Sequence, residues 1–537
     1  MAKDNLALVI YASHAYLRNT AESTDFSAQN DILFSAISQT YLPLLDMLSR
    51  LEADGVNCRI GLVLPPTLCT LLDDPQVQKQ YIDSLDRRIA LGEAEVKRLS
   101  KKPELRALAE LCRAKALKDK TDFVETYNQN LVDAFKKWAK KGFVELIATS
   151  ATCAFLPHYA DLTEALNAQI ETGLYAQRQF FGESGDGFFL PYEGYASGVE
   201  KVLRSYGVNY TILDARSLLF SESEIETGIF APVRTNHSLV LLASDNRCLD
   251  QIAGEEGYAV NEVYRAQHLD IGFDLDAKAL SSFSGTESNR VQTLFKYWSN
   301  ASDGENRVLY NVEEAKTQLV HDAEDFVHSR EQLLTLAHKA FEAKPDATLQ
   351  EVPCTVCALP AELMGQTWAE GVDWLEAVIR ACDKSQSMQL AFCRDLIVHQ
   401  FELPKVKPYP CAATGTGYGE NLLDSSNCWM MRYVRKASER MVDLADRFPS
   451  ETGLKARLLN IAARELLLAQ CGEWPRMVSS GIMPDVMAQQ FKTHILAFST
   501  VFDSLASNTV STEWLTQTEK EHPVFPWINY RIFSRKK

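Results

Sequence analysis

A strand-to-turn segment in the middle of the chain carries the side chains best suited to catalysis. Residues 187–195 read Gly-Phe-Phe-Leu-Pro-Tyr-Glu-Gly-Tyr, a short apolar strand that runs into a glycine-containing turn, and a helical pattern follows at once. In barrel enzymes, a polar side chain at such a strand end usually belongs to the catalytic machinery. Tyr192 and Glu193 are therefore candidate catalytic residues. A carboxyl group there would transfer a proton or attack as a nucleophile, whereas a tyrosine would need a base nearby.

Alternating strands and helices must position these side chains. Apolar runs predict strands at residues 6–12, 59–64, 144–148, 188–190, 210–213, 239–242 and 355–359. Helical patterns separate them, which predicts a parallel sheet or barrel. Residues 72–141 are helical and highly charged, which indicates a helical insertion, and the chain becomes purely helical after about residue 420. We therefore predict a barrel domain over residues 1–410 and a helical domain over residues 411–537.

Composition restricts the class of protein. A chain of 537 residues with 46% hydrophobic and 23% charged residues is an ordinary globular sequence, long enough for two or three domains. Its net charge of -16 disfavours binding to nucleic acid or to an anionic membrane. Apolar runs are too short for a membrane helix, and the first apolar run is too short for a signal peptide. We expect a cytoplasmic protein whose 12 scattered cysteines are reduced.

Several segments resemble glycoside hydrolase family 57. Residues 187–195 resemble the family motif Trp-Leu-Pro-Glu-Cys-Ala-Tyr, and the longer matches lie at residues 165–173, 257–275, 462–475 and 525–533. The similarity is closest to the branch that holds the 1,4-α-glucan branching enzymes. It implies an α/β fold, a distorted (β/α)7 barrel with a helical insertion, whose mouth is covered by an all-helical C-terminal domain. It also implies an α-glucan as the partner, and we predict no cofactor and no metal.

The same resemblance indicates that the catalytic motifs have changed. The family's nucleophile falls on Tyr192, with Glu193 one place late, and the family's acid/base aspartate falls on Pro360. Retaining glycoside chemistry needs two carboxyl groups about 5 Å apart, so both substitutions bear on activity. Other motif positions change as well: the family has histidines where this chain has Tyr11, Ser13, Cys153 and Gln366, and a tryptophan where it has Ile252.

Each catalytic candidate has two interpretations. A β-bulge would bring Glu193 into the nucleophile's place, and without one its side chain points to the opposite face of the strand. Glu362 matches a family glutamate, and is either a displaced acid or a structural residue at a helix start. His14 is either a general base or a histidine with satisfied hydrogen bonds. Cys354 and Cys357 have the spacing of a redox or zinc pair, but in a strand they point to opposite faces.

Four further residues match substrate-binding positions of the family. These are Tyr258, Trp368, Glu473 and Trp474. The two tryptophans either stack on sugar rings or pack in the core.

Three functions remain open at this point. The first is a branching-enzyme-like protein of α-glucan (glycogen) metabolism that has lost the family's catalytic carboxylates. The second is a pseudoenzyme that binds glucan or serves as a scaffold for another protein. The third is altered glycoside chemistry that uses Tyr192, Glu193 or Glu362. All three share one structural expectation, in which residues 9–11, 188–191 and 356–359 form neighbouring parallel strands.

Overall fold

Seven parallel strands form the frame of the molecule. The computed structural model describes residues 3–19, 28–284, 290–304, 306–342, 352–397, 401–507, 509 and 511–535. Its strands are β1 Asp4–Tyr11, β2 Ile60–Val63, β3 Val144–Leu146, β4 Gly187–Phe189, β5 Tyr210–Asp214, β6 Val233–Arg234, β7 Val240–Ser244, β8 Cys354–Pro360 and β9 Met388–Leu390. Their order is β3-β2-β1-β8-β7-β5-β4, with β6 paired to β7 and β9 paired to β1.

The sheet closes into a barrel between its two outer strands. Ala148, just after β3, forms a parallel bridge with Phe188 of β4, and the Phe189 amide donates to the Ala148 carbonyl at 2.7 Å. Strand β1 is buried on both faces, as expected of a strand covered by helices outside and side chains inside. The predicted distorted (β/α)7 barrel is thus confirmed.

One expectation about the strand order is wrong. Strands β1 and β8 are neighbours, with Leu8 opposite Cys357, but β4 pairs with β5. Strand β4 lies across the barrel because the chain completes β2 and β3 before reaching it. The rings of Tyr11 and Phe189 stack across the interior with centroids 4.7 Å apart, so the ends of β1 and β4 still meet at the mouth.

Helices surround the barrel and cover its mouth. Their bounds are α1 Ala28–Ala36, α2 Leu42–Ala53, α3 Pro66–Leu72, α4 Pro75–Arg98, α5 Pro103–Thr121, α6 Leu131–Lys140, α7 Thr163–Phe181, α8 Val199–Ser205, α9 Ala215–Leu219, α10 Arg247–Ala253, α11 Ile271–Asp274, α12 Ala277–Ser284, α13 Val312–Glu342, α14 Gly371–Lys384, α15 Cys428–Arg447, α16 Gly453–Ala469, α17 Glu473–Ser479, α18 Pro484–Ser507 and α19 Thr512–Glu521. The predicted insertion at residues 72–141 corresponds to α4–α6, between β2 and β3. Within the described ranges, none of these helices combines the length and the apolar character that crossing a bilayer requires.

The helical C-terminal part packs directly on the barrel mouth. The apolar helix α16 is buried along most of its length. The hydroxyl of Thr152, in the segment between β3 and α7, donates to the Leu467 carbonyl of α16 at 2.7 Å. Ala154 forms an antiparallel bridge with Cys471, just before α17. These contacts place the start of α17 over the ends of the strands, and the domain boundary at residue 410 stays a prediction.

A buried carboxylate ties the chain end to this helical part. Glu465 of α16 lies between two imidazoles, each with its Nδ1 atom 2.8 Å from one carboxylate oxygen: His494 of α18 and His522, just after α19. Although burial raises the pKa of Glu465, the two histidines outweigh it and lower that pKa to about 2. The carboxylate therefore stays ionised in the core and joins α16 and α18 to the C-terminal segment.

Replacing Glu465 with glutamine is expected to destabilise the protein by about 3 kcal/mol at pH 7. The pKa of Glu465 is lowered from 4.5 to about 2 on folding, which corresponds to a contribution of about 3 kcal/mol to the free energy of unfolding. This contribution is present above pH 4.5 and is lost as the pH falls towards 2. Urea denaturation at pH 7 and pH 3 checks this. The difference between variant and native protein should shrink at pH 3, and an undiminished difference would contradict it. Glu439→Gln, in an exposed ion pair of α15, should cost less than about 1 kcal/mol.

Candidate active site at the barrel mouth

A cavity of about 650 Å³ lies where the strands end. Three parts of the barrel contribute to its wall: the segment after β1, the turn after β4 and the turn after β8. Helix α17 supplies Glu473 and Arg476 from the C-terminal part. Catalytic sites of β/α barrels occupy this face of the fold, so the cavity is the candidate active site.

Glu473 is the hub of the polar groups in the cavity. Its Oε1 atom accepts a hydrogen bond from the Tyr192 hydroxyl at 2.5 Å and another from the Ser13 hydroxyl at 2.5 Å. Its Oε2 atom lies 2.5 Å from Nη2 of Arg476, and Nε of the same guanidinium lies 2.9 Å away. The carboxylate is thus held by two hydroxyl groups and a bidentate ion pair.

These contacts determine the protonation states of Glu473 and Tyr192. Burial raises the pKa of Glu473, but Arg476 and the hydroxyl donors outweigh it, so the net pKa is lowered. Burial and the neighbouring Glu473 charge raise the pKa of Tyr192 well above its ordinary value. The proton of this short hydrogen bond therefore resides on Tyr192, and Glu473 is ionised.

The backbone at Tyr192 and Glu193 is strained. Tyr192 and Glu193 have φ angles of 59° and 50°, in the left-handed region that L residues other than Asn and Asp rarely adopt. A Cβ atom on Gly472 would lie 2.6 Å from Cε2 of Tyr192, so the glycine lets the ring approach the start of α17. The Tyr192 carbonyl also accepts from the Ala413 amide at 2.8 Å. The tyrosine is held on both sides by the segment that leads into the helical part and by that part itself.

Glu193 points away from the cavity. Its side chain is 2% exposed, and it lies among Asp214, Arg216 and Ser244 at the ends of β5 and β7. Burial, followed by the charge of Asp214, raises the pKa of Glu193 to about 8. The structure therefore favours the alternative in which the Glu193 side chain points to the opposite face of the strand. In that position Glu193 is a buried, protonated acid outside the candidate active site.

Glu362 does face the cavity. It lies in the turn after β8, directly beyond Pro360, and its side chain is partly exposed there. Burial and the neighbouring Glu473 charge raise the pKa of Glu362 to about 7, although Arg476 opposes them. Among the sequence candidates, the cavity thus brings together Tyr192, Glu362 and Glu473, with Pro360 in its wall.

His14 also lines the cavity, and it is uncharged at neutral pH. Burial lowers its pKa to about 4, with an opposing effect of Glu473. Its Nε2 atom has no hydrogen-bond partner in the part of the chain that the structure describes. His14 is therefore a neutral, enclosed side chain in the wall of the cavity, which gives no support to its role as a general base.

The aromatic candidates lie elsewhere. Trp474 is 0% exposed, and its indole nitrogen donates to the Leu468 carbonyl at 2.8 Å. Trp368 is 1% exposed and packs on Trp374 and Tyr264, with ring centroids 5.6 and 5.3 Å away. Both positions favour the core-packing alternative over sugar stacking. Tyr258 donates its hydroxyl to Asp325 at 2.6 Å and lies outside the residues that line the cavity.

Sequence reasoning missed two partners of Glu473. Arg476 follows it by three positions, a spacing that places both side chains on one face of a helix, so the ion pair had a local signal. Ser13 lies 460 positions away, and only the packing of α17 on the barrel brings it close.

The cluster with the side chains of a metal site lies apart from the cavity. Glu465, His494 and His522 could each offer one ligand atom, but both Nδ1 atoms already face carboxylate oxygens at hydrogen-bond distance. None of the three lines the cavity.

Comparisons with known proteins agree on one family. Residues 9–332 match the model of glycosyl hydrolase family 57, and residues 433–533 match that of the 1,4-α-glucan branching enzyme C-terminal domain. A 1,4-α-glucan branching enzyme of Thermococcus kodakarensis is 24% identical, over 95% of this chain and 74% of the relative.

Solved structures share the fold of this chain. An α-amylase from Thermotoga maritima superimposes with a TM-score of 0.90 at 26% identity, covering all of both chains. A branching enzyme from the Thermococcus species, solved in complex with glucose, superimposes with a TM-score of 0.86 at 20% identity. That match covers all of this chain and 97% of the other.

Proposed function

The chain belongs to glycosyl hydrolase family 57, and on that basis we propose that it binds a linear α-glucan in the mouth cavity without cleaving or branching it. The observation that supports this proposal is the cluster of Tyr192, Glu473 and Arg476. The resemblance assigns the family's nucleophile position to Tyr192, whose side chain in this cluster is a protonated phenol. Pro360, at the family's acid/base position, has no ionisable group and cannot transfer a proton.

The free energy of proton transfer from Tyr192 to Glu473 argues against Tyr192 as a nucleophile. An attack would need its proton to move to Glu473. The ordinary pKa values of these groups, 10.0 and 4.5, differ by more than five, and the environment widens the gap in both directions. At about 1.4 kcal/mol per pKa unit, the transfer costs more than about 7 kcal/mol before any bond to sugar forms. That cost is comparable to the whole rate enhancement of a modest enzyme.

The cavity is nevertheless suited to hold a glucan. Its volume falls in the range of small-ligand sites. The rings of Tyr11 and Phe189 give it apolar surface, and the side chains of Glu362 and Gln366 give it hydrogen-bonding groups. Such a mixture matches a sugar chain, whose ring faces are apolar and whose edges carry hydroxyl groups. The glucan-processing names of the relatives support the same ligand class.

We expect the purified protein to bind maltoheptaose but to leave amylose unbranched and uncleaved, above a blank without protein. Calorimetry measures the binding, and reducing-end and iodine assays measure turnover. Ala253→Trp fills the cavity from the end of α10, where Ala253 is exposed, and should abolish binding at the mouth. Turnover that disappears in Glu362→Gln would contradict the proposal.

A second candidate function rests on the 2.5 Å hydrogen bond between Tyr192 and Glu473. Sialidases use a tyrosine nucleophile, which needs a base nearby, and Glu473 is a carboxylate in that place. In this alternative, Glu362 is the acid. A fluorinated maltosyl fluoride separates the two functions, because a tyrosine nucleophile would gain the mass of the sugar on the peptide that holds Tyr192. The first proposal expects no such adduct, and Tyr192→Phe is the control.

A further inference from the structure

A second cavity, which we name the terminal groove, lies between the barrel and the end of the chain. Its volume is about 860 Å³, and the residues that line it differ from those of the mouth cavity. It is bounded by the loop between α3 and α4, by the end of α7, and by residues 517–527.

An aromatic wall runs along the terminal groove. Trp527 and Phe180 are partly exposed there, and the buried Phe525 packs behind Trp527 with ring centroids 5.8 Å apart. The ring of Trp527 packs against Tyr175, which is 39% exposed, with centroids 4.2 Å apart. Such a wall offers apolar surface at low entropic cost, because the rings already hold each other in place.

Uncommitted polar groups stand beside the aromatic wall. Asp73 and Gln179 are exposed and line the terminal groove. Neither side chain makes a hydrogen bond to any residue that the structure describes. A carboxylate and an amide beside an aromatic ring are the groups that bind paired hydroxyls and the apolar face of a sugar.

The charges of the terminal groove favour a neutral ligand. Arg18 is committed to Asp74, with its Nε atom 2.6 Å from the carboxylate, and to the carbonyl of Lys520 at 3.1 Å. Lys520, Glu521 and Asp73 also line the groove, so its lining carries two positive side chains (Arg18 and Lys520) and three negative ones (Asp73, Asp74 and Glu521). This distribution disfavours an anionic ligand such as a phosphate ester, and a single net negative charge is too little to select a polycation.

The terminal groove and the mouth cavity meet at the segment that follows β1. Leu17 lines the cavity, and the next residue, Arg18, lines the terminal groove. We propose that the terminal groove is a second binding site for the same class of neutral polymer, a linear α-glucan, stacked on Trp527 and hydrogen-bonded by Asp73 and Gln179. The ligand class rests on the proposed function, whereas the site itself does not depend on the mouth cavity. Two sites on one polymer strengthen its binding through effective concentration.

The test compares maltoheptaose and amylose binding by calorimetry in two variants. Trp527→Ala removes the aromatic contact of the terminal groove, so the mouth cavity remains as the binding site. Ala253→Trp fills the mouth cavity, so the terminal groove remains as the binding site. We expect each variant to retain maltoheptaose binding at one site, and we expect Trp527→Ala to weaken amylose binding about fivefold, the effect of one aromatic contact. Tyr433→Ala removes an exposed aromatic on α15 and should change nothing.

The outcomes separate the two proposals. If Ala253→Trp binds no glucan while Trp527→Ala binds as the native protein does, the terminal groove is refuted and the mouth site stands. The reverse result refutes the mouth site and supports the groove. Because Trp527→Ala also removes packing, Asp73→Asn and Gln179→Ala serve as surface variants. Both should weaken maltoheptaose binding in the Ala253→Trp background, and unchanged affinity in both would refute the assigned contacts.

Discussion

Replacing Arg476 with methionine is expected to lower the free energy of unfolding by about 3–5 kcal/mol, the usual effect of leaving one charge of a buried pair without its partner. Glu473 is 1% exposed in the wall of the mouth cavity, and Arg476 supplies the positive charge that keeps it ionised. Without the guanidinium, the carboxyl group must take up a proton or remain charged with no counter-charge beside it. Urea denaturation at pH 7 measures the loss.

Two control variants show whether the loss comes from the buried charge. The double variant Arg476→Met/Glu473→Leu removes both charges, so it should recover much of the stability that Arg476→Met loses. Arg457→Met breaks an exposed ion pair with Glu519 and should cost less than about 1 kcal/mol. If the double variant is as unstable as the single one, the packing of Arg476 and not the charge of Glu473 explains the effect.

The barrel strands could be predicted because each is a short apolar run bounded by polar residues. Strand β8 is buried over six of its seven residues, and the predicted segment 355–359 lies inside it. The helices after residue 420 were equally clear from their period, as α16 illustrates. The order of the strands was harder, because no local pattern specifies which strands pair, and β4 was placed beside β1 instead of across from it.

The site was predicted only in part because its geometry depends on the backbone and on distant packing. The strand register alone places Glu193 on the face opposite to the catalytic position. The structure reaches the same outcome through two consecutive left-handed residues, which nothing in their identities announces. Glu473 matched a substrate-binding position, yet its contact with Tyr192 spans 281 positions and needs the helical part docked on the barrel. The two buried tryptophans, Trp368 and Trp474, were uncertain for the same reason. A motif gives their position in the sequence, but it does not specify whether the ring points into the cavity or into the core.

The proposed function gives the cluster of Tyr192, Glu473 and Arg476 a physical interpretation. The phenol donates to an ion-paired glutamate. On this proposal the barrel mouth has no free carboxylate nucleophile, while the cavity stays open beside the cluster. This separation of binding from chemistry is what the proposed function requires.

Replacing Glu193 with glutamine is expected to stabilise the protein by about 4 kcal/mol at pH 8 and to change little at pH 5. Burial and the charge of Asp214 raise the pKa of Glu193 from 4.5 to about 8. The folded state thus holds a proton that the unfolded chain releases, and stability falls as the pH rises from 4.5 to about 8. Glutamine is neutral at both pH values, so it carries no charge against Asp214 and loses no stability as the pH rises. Denaturation at the two pH values checks the prediction, with Glu513→Gln, an exposed glutamate of α19, as the control. Parallel pH dependence of the native protein and Glu193→Gln would mean that the pKa of Glu193 is not raised in the folded state, and it would contradict the prediction.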